Sequence, residues 1–249
     1  MQLTDRVYIV GSGKSGISIT HPMDCSIYLI DTGDGCMMVD SGVGLEPQRI
    51  DAVIESHGFK MTDIKKLFLT HYHGDHACGA ARIQALSGCE VYAPAKEADA
   101  IRDGDEEANS LVLAKGILYP ADFSMSKCPG VIGLEEGEQV TLGDVTLTAY
   151  MVPGHSLCDM VLYGDVGGKK CVFTGDAVFA CGQILLQSLH DVSIYPYKVA
   201  INRLAKLPVD SFFPGHGVFS ILDGGDAIKA CAKAFNSGMI PRQFYFYAL

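Results

Sequence analysis

The chain has 249 residues, 48% of them hydrophobic, enough for one large domain or two small ones with a sizeable core. A formal net charge of −10 argues against the basic face that a nucleic-acid partner needs. No apolar stretch approaches the about 18 residues of a membrane-spanning helix, the start lacks a basic region followed by an apolar run, and the nine scattered cysteines include no C-x-x-C pair and read as reduced thiols. A cytoplasmic address is expected, with no membrane partner.

In chain order, residues 6–10 read as a strand. Gly11-Ser12-Gly13-Lys14-Ser15-Gly16 then matches G-x-G-x-x-G. A dinucleotide site needs a helix to open here, so that its N-terminus faces the pyrophosphate. Instead Ile17-Ser18-Ile19-Thr20 alternates and is β-branched, and Pro22 follows. Tyr8 stands where the first glycine of a P-loop belongs. The turn of a β-hairpin is the better reading. Residues 25–31 and 36–40 are strands joined by Thr32-Gly33-Asp34-Gly35, a strong hairpin signal, and the second ends on Asp40 in a glycine-rich turn. Residues 48–57 are helical by the spacing of Ile50, Val53 and Ile54, stopped by Gly58.

Residues 64–69 form a short apolar run, a buried strand, and 77–86 a helix ended by Gly88. Between them lies Thr70-His71-Tyr72-His73-Gly74-Asp75-His76, four potential metal ligands within six residues. Loops between rigid elements are where chemistry is usually carried, and imidazole and carboxylate donors suit zinc or iron. A strand over 90–93 and a helix over 96–102 follow. Residues 103–129 change character: an acidic patch, then an amphipathic, irregular stretch. They read either as a lid or helical hairpin inserted over a site or as a solvated surface insertion. The rest is β-rich, with strands over 139–142, 145–150, 160–163, 170–173 and 211–213, and helices over 197–207 and 225–236. The order predicts an α+β fold of two β-sheets face to face with helices outside both.

Three later loops repeat the first: a strand, then a glycine-bearing turn with one ligand type. They are Pro153-Gly154-His155-Ser156, Thr174-Gly175-Asp176-Ala177 and Pro214-Gly215-His216-Gly217. Five of the eight histidines fall in these four loops; His21, His57 and His190 do not.

H-x-H-x-D-H followed by a separate His, Asp and His on such turns resembles the metallo-β-lactamase fold superfamily over nearly the whole chain. The resemblance implies a single domain over 1–249, a four-layer αβ/βα sandwich of two mixed β-sheets with outer helices, to which residues 103–129 would add the lid insertion read from their composition. It implies two divalent metal ions, zinc first, with iron or manganese as alternatives. His71, His73 and His155 would hold one, Asp75, His76 and His216 the other, and Asp176 would bridge them. Asp40 would orient a ligating imidazole from behind. Asp75 would also be catalytic, passing a proton to the leaving group.

The resemblance also narrows the branch. Asp176 stands where a two-zinc class B β-lactamase usually carries Cys, which favours a glyoxalase II or lactonase pattern. Few cations follow His216 (Lys229, Lys233 and Arg242), so a glutathione thioester is not the expected substrate. The reading is hydrolysis of a small ester, thioester or lactone by a metal-bridging hydroxide. A phosphodiesterase on the same two metals and a mononuclear iron enzyme like the persulfide dioxygenases are the alternatives. Lactonase-like members place a tyrosine hydroxyl on the substrate, which makes Tyr195 or Tyr197 the candidate here, with His190 as a further contact. The partner is a small molecule, with homo-oligomerisation open. The aromatic tail 243–247 is expected to pack on the body, a second subunit or the pocket rim.

Overall fold

The structure, a computed structural model, describes residues 1–245; Phe246 and Tyr247 of the expected aromatic tail lie outside the described residues. One sheet runs β1 (Val7–Gly11), β2 (Ile27–Asp31), β3 (Cys36–Val39), β4 (Ile64–Phe68), β5 (Glu90–Pro94) and β6 (Ile132–Leu134), side by side in that order. Its first three strands are antiparallel, and β3 to β6 are parallel. The second sheet holds β7 (Gln139–Leu142), β8 (Val145–Val152), β9 (Asp159–Val166), β10 (Lys169–Gly175) and β11 (Ser211–Pro214), antiparallel except for the β10–β11 pair. Helices α1 (Gln48–Ser56), α2 (Gly74–Ala77), α3 (Ala80–Ser87), α4 (Ala95–Asp103), α5 (Leu111–Ala114), α6 (Ile194–Leu204) and α7 (Gly225–Asn236) complete the chain. None of the described helices is long and apolar enough to cross a membrane.

The strands read as apolar runs because both sheet faces are buried. Along β9, Met160 and Leu162 enter the core between the sheets, while Val161 between them faces α6 and α7. Val7, Tyr28, Met37 and Phe68 meet Leu147, Phe173 and Phe213 in that central layer. Leu29, Met38 and Leu67 pack outward on Ile50 and Ile54 of α1 and Ile83 of α3. Val172 and Phe212 pack on Ile201 of α6 and Phe235 of α7. Each fully buried side chain of this kind contributes about 1.5–3 kcal/mol, so the four layers are the expected αβ/βα sandwich.

Three local expectations change. Residues 17–20 form no strand: Ile19 and Thr20 donate their amides to Ser12 O, and Ser12 N donates to Thr20 Oγ1. The glycine motif is thus a compact loop folded on itself inside the long β1–β2 connection, and Gly217 N donates to Ser15 O to tie it to the His216 loop. Residues 103–129 hold the single short helix α5 in place of a helical hairpin. Gly104, Ser110 and Gly116 all have positive φ, and Pro120 follows, so no longer helix can propagate. The segment is still packed, with Leu111, Tyr119, Met125 and Cys128 buried against the first sheet's outer core. β6 is three residues around Gly133, too short to show periodicity.

Candidate metal centre

Every ligand loop leaves the same edge of the sandwich. The turn after β4 carries His71, His73, Asp75 and His76, and the ends of β8, β10 and β11 lead into His155, Asp176 and His216. β10 and β11 are parallel with Gly175 beside Pro214, and Gly215 N donates to Gly175 O, which sets Asp176 next to His216. Across the sheets, Met160 N donates to Thr70 O and Ser26 N to Gly215 O. Glycine is required at 175: φ is +49°, and a Cβ would lie 2.5 Å from Thr70 Oγ1.

The donor atoms converge in two groups. In the first, His71, His73 and His155 bring ring nitrogens within 4.8 Å of one another, with His73 Nδ1 3.1 Å from His155 Nε2. In the second, His216 Nε2 lies 3.1 Å from Asp75 Oδ2 and 3.3 Å from His76 Nε2. Asp176 reaches both, with Oδ2 3.5 Å from His155 Nε2 and Oδ1 3.3 Å from His76 Nε2. Buried polar atoms normally have partners, yet His71 Nε2 is buried with no hydrogen-bond partner among the described residues. Leaving such an atom unpaired costs about 1–3 kcal/mol. Imidazoles and carboxylates aimed inward at 3–4 Å from one another fit divalent cations.

Groups behind the ligands decide which nitrogen faces inward. His76 Nδ1 lies 2.9 Å from Asp40 Oδ2, and Asp40 also accepts Thr70 N at 2.8 Å and Thr70 Oγ1 at 3.0 Å. Asp40 holds φ +63°, a left-handed conformation costly for a non-glycine residue. His155 Nδ1–H donates to Leu185 O at 2.9 Å, and His71 Nδ1 sits 3.1 Å from Thr70 Oγ1. Each leaves Nε2 of its ring toward the cluster. Cys25 lies beside Asp40 and His76, but the Asp40 carboxylate there is already engaged by the ring.

Sequence reasoning missed three buried acids that support this layer. Asp191 accepts Tyr72 O–H at 2.7 Å, with His73 Nε2 3.6 Å away. Asp159 Oδ1 lies 3.5 Å from His71 Nδ1. Glu97 of α4 accepts Tyr72 N, Cys158 N and Ser156 Oγ, each at 2.8 Å, joining the first ligand loop to the His155 loop. Its one sequence signal is its place four residues before Ile101, on the buried face of the helix.

Burial opposes ionisation of Asp176, but His216 and His76 outweigh it and hold the carboxyl below the usual range. Asp75 is lowered in the same way, burial being outweighed by His76 and His216. His71 is pushed well below the ordinary imidazole value by burial and by the neighbouring rings. His76 moves well above it: burial is overridden by Cys25, Asp176, Asp40 and Asp75. Two carboxylates thus stay ionised in the interior of the cluster, where they would attract a cation. If chelator-treated protein receives zinc at about 1,000 times its Kd, mass action adds about 4 kcal/mol of stability. The melting temperature should rise by about 10 °C; an unchanged melting curve would show that the cluster binds no zinc.

The cluster floors a cavity of about 520 Å³, within the range of small-molecule sites. Its lining includes His73, Asp75, His155, Asp176 and His216, with Lys14 and Ser15 of the glycine loop at one side. Tyr195 and Tyr197 do not line it. Tyr195 is 76% exposed, and Tyr197 is buried under Gly154, donating its hydroxyl to Ala177 O, because α6 turns that face onto the second sheet. His190 is exposed, its Nδ1 3.5 Å from Ser110 Oγ, and lies outside the lining. The tyrosine in the cavity is Tyr119, whose hydroxyl lies 3.1 Å from where a Cβ on Gly74 would be. Of the tail, Phe244 stacks on Phe179 at 4.4 Å, beside His216.

The family model of the metallo-beta-lactamase superfamily matches residues 21–216. Among curated proteins, the chain is 28% identical over 147 residues to a hydroxyacylglutathione hydrolase of Pseudomonas putida (strain W619), covering 58% of the chain and 44% of the relative. It is 32% identical over 148 residues to one of Hyphomonas neptunium, covering 58% and 44%. A third, from Bdellovibrio bacteriovorus, is 25% identical over 197 residues, covering 78% and 64%. The chain thus spans about half the length of the curated relatives it matches. Among solved structures, a subclass B3 metallo-beta-lactamase of Bradyrhizobium japonicum superposes with TM-score 0.72 at 21% identity, over 96% of this chain and 91% of that one. A metallo-beta-lactamase of Cronobacter sakazakii gives 0.72 at 23%, over 96% of each. At these identities the likeness is one of fold.

Proposed function

The chain belongs to the metallo-beta-lactamase superfamily, and from that premise we propose that it is a dinuclear metal-dependent hydrolase of a small ester, thioester or lactone. The observation that carries this reading is the convergence of five imidazoles and two carboxylates from four separate loops at the floor of one cavity. His71, His73 and His155 would hold one cation and Asp75, His76 and His216 the second, with Asp176 within reach of both groups; zinc suits these donors best. When bound, a pair of such ions lowers the pKa of a water to about 7 and polarises a carbonyl.

The protein's own groups do the rest. Asp40 and Leu185 O keep a proton on Nδ1 of His76 and His155, so both rings present Nε2 lone pairs to the cluster. Asp176 is enclosed, its side chain 3% exposed, and serves the centre alone. Asp75 is 16% exposed and borders the cavity, so its carboxylate can take a proton at the reacting centre and return it to the departing oxygen or sulfur. Residues 109–119 wall the cavity and limit water at the centre. Among the described residues, Lys14 is the only Lys or Arg in the lining, which suits an uncharged substrate better than an anionic phosphodiester.

Elemental analysis of protein purified without chelator should give close to two metals per chain. Nitrophenyl esters and thioesters should be hydrolysed well ahead of bis-nitrophenyl phosphate. Preference for the phosphodiester would replace this reading with a phosphodiesterase. One iron per chain with oxygen uptake on persulfides would replace it with an oxygenase.

A further inference from the structure

The cavity wall above the metal ligands is apolar where a polar site would serve a small hydrophilic substrate. Leu111, Leu113, Ala114, Ile117 and Leu118 line it from one short segment, and Met23 and Leu189 join them from two other loops. Leu113 and Ile117 are 64% and 72% exposed, so their side chains add nothing to the core of the fold. They are nevertheless held in place. Leu111 and Tyr119 are buried, Tyr119 stacks on Phe123 with centroids 5.1 Å apart, and Gly116 N donates to Tyr119 O at 2.7 Å. Lys115 pairs with Glu106, which also accepts Met125 N at 2.9 Å. Exposed apolar side chains on a fixed wall, continuous with a reactive centre, mark a binding surface. Its continuity with His73, Asp75 and Tyr119 around Gly74 points to the substrate as the occupant, ahead of a second protein.

We infer that the substrate carries an apolar chain several carbons long, laid along residues 111–118 while its ester or thioester carbonyl meets the centre. This rests on the hydrolase reading above. A peptidic thiol bearing several carboxylates finds, among the described residues, a single Lys or Arg in the lining, Lys14, and gains nothing from this wall.

The test uses zinc-loaded full-length protein and straight-chain nitrophenyl esters and thioesters from two to ten carbons. Each methylene that leaves water should raise kcat/KM about three- to fourfold until the wall ends. In the double variant Leu113→Asp/Ile117→Asp, the ratio of eight-carbon to two-carbon kcat/KM should fall at least tenfold; the single variant Ile117→Ser repeats the measurement should the double one misfold. A wild-type profile flat in chain length overturns the inference, as does a variant with the wild-type ratio. A variant whose mass by light scattering drops while its ratio is unchanged assigns the wall to contact between copies of the chain, and also overturns it. If no ester, thioester or lactone is hydrolysed at any chain length, the hydrolase reading falls. The wall is then read by calorimetric binding of straight-chain alkanoates: affinity that climbs with length supports it, and affinity that does not overturns it.

Discussion

Asp75→Ala should lower kcat/KM on the best ester or thioester by about 10³-fold or more, with the fold retained. Two losses combine. A positioned proton-transfer group is worth about 10²–10⁴-fold, and Asp75 Oδ2 is one of the atoms around His216 Nε2, at 3.1 Å, so metal affinity falls as well. The fold should survive because, among the described residues, the Asp75 side chain pairs only with the cluster, at His216 and His76, while its carbonyl, which accepts Cys25 N, belongs to the backbone and is kept. Circular dichroism and thermal melts in the metal-free state should match wild type, while single-turnover assays at saturating zinc isolate the proton-transfer loss. Activity within tenfold of wild type, with two metals still bound, would remove Asp75 from the mechanism.

Asp40→Asn should weaken metal binding by about 10–100-fold without removing any inward-facing donor atom. Asparagine tolerates the φ of +63° that Asp40 holds, so the backbone is not the cause. The cause is donor and acceptor matching. Asp40 Oδ1 accepts Thr70 N, and Oδ2 faces His76 Nδ1. An amide keeping its oxygen on Thr70 turns its NH₂ toward His76 Nδ1. The ring must then carry its proton on Nε2, the atom that faces His216 and Asp176. Competition with a fluorescent zinc chelator reads the affinity. The d–d spectrum of the cobalt-loaded protein reads the geometry of the second group of ligands. Wild-type affinity and spectrum in Asp40→Asn would show that the contact is packing only.

Much of the centre was legible because its signals are local. A strand followed by a glycine turn and one His or Asp recurs at His155, Asp176 and His216, and H-x-H-x-D-H sits between a strand and a helix. The placement of Asp40 at the end of an early strand was legible for the same reason. The tyrosines were not. Tyr195 and Tyr197 were reasonable by position along the chain, yet α6 buries one and exposes the other, while Tyr119 reaches the cavity from the irregular segment. Glu97 and Asp191 act across 25 and 119 residues of separation on the Tyr72 backbone and hydroxyl. Nothing near either in the chain announces that.

What the sequence alone determined was the donor chemistry and its delivery on turns after strands, together with two sheets carrying outer helices. Donor identity and strand–turn alternation are properties of neighbouring residues. The tertiary structure decided the rest: which ring nitrogens face inward, which acids stand behind them, and which side chains wall the cavity. Those outcomes depend on contacts between segments far apart in the chain, as where Glu97 of α4 joins the loop of Tyr72 to that of Ser156, and such pairings are set only when the layers pack.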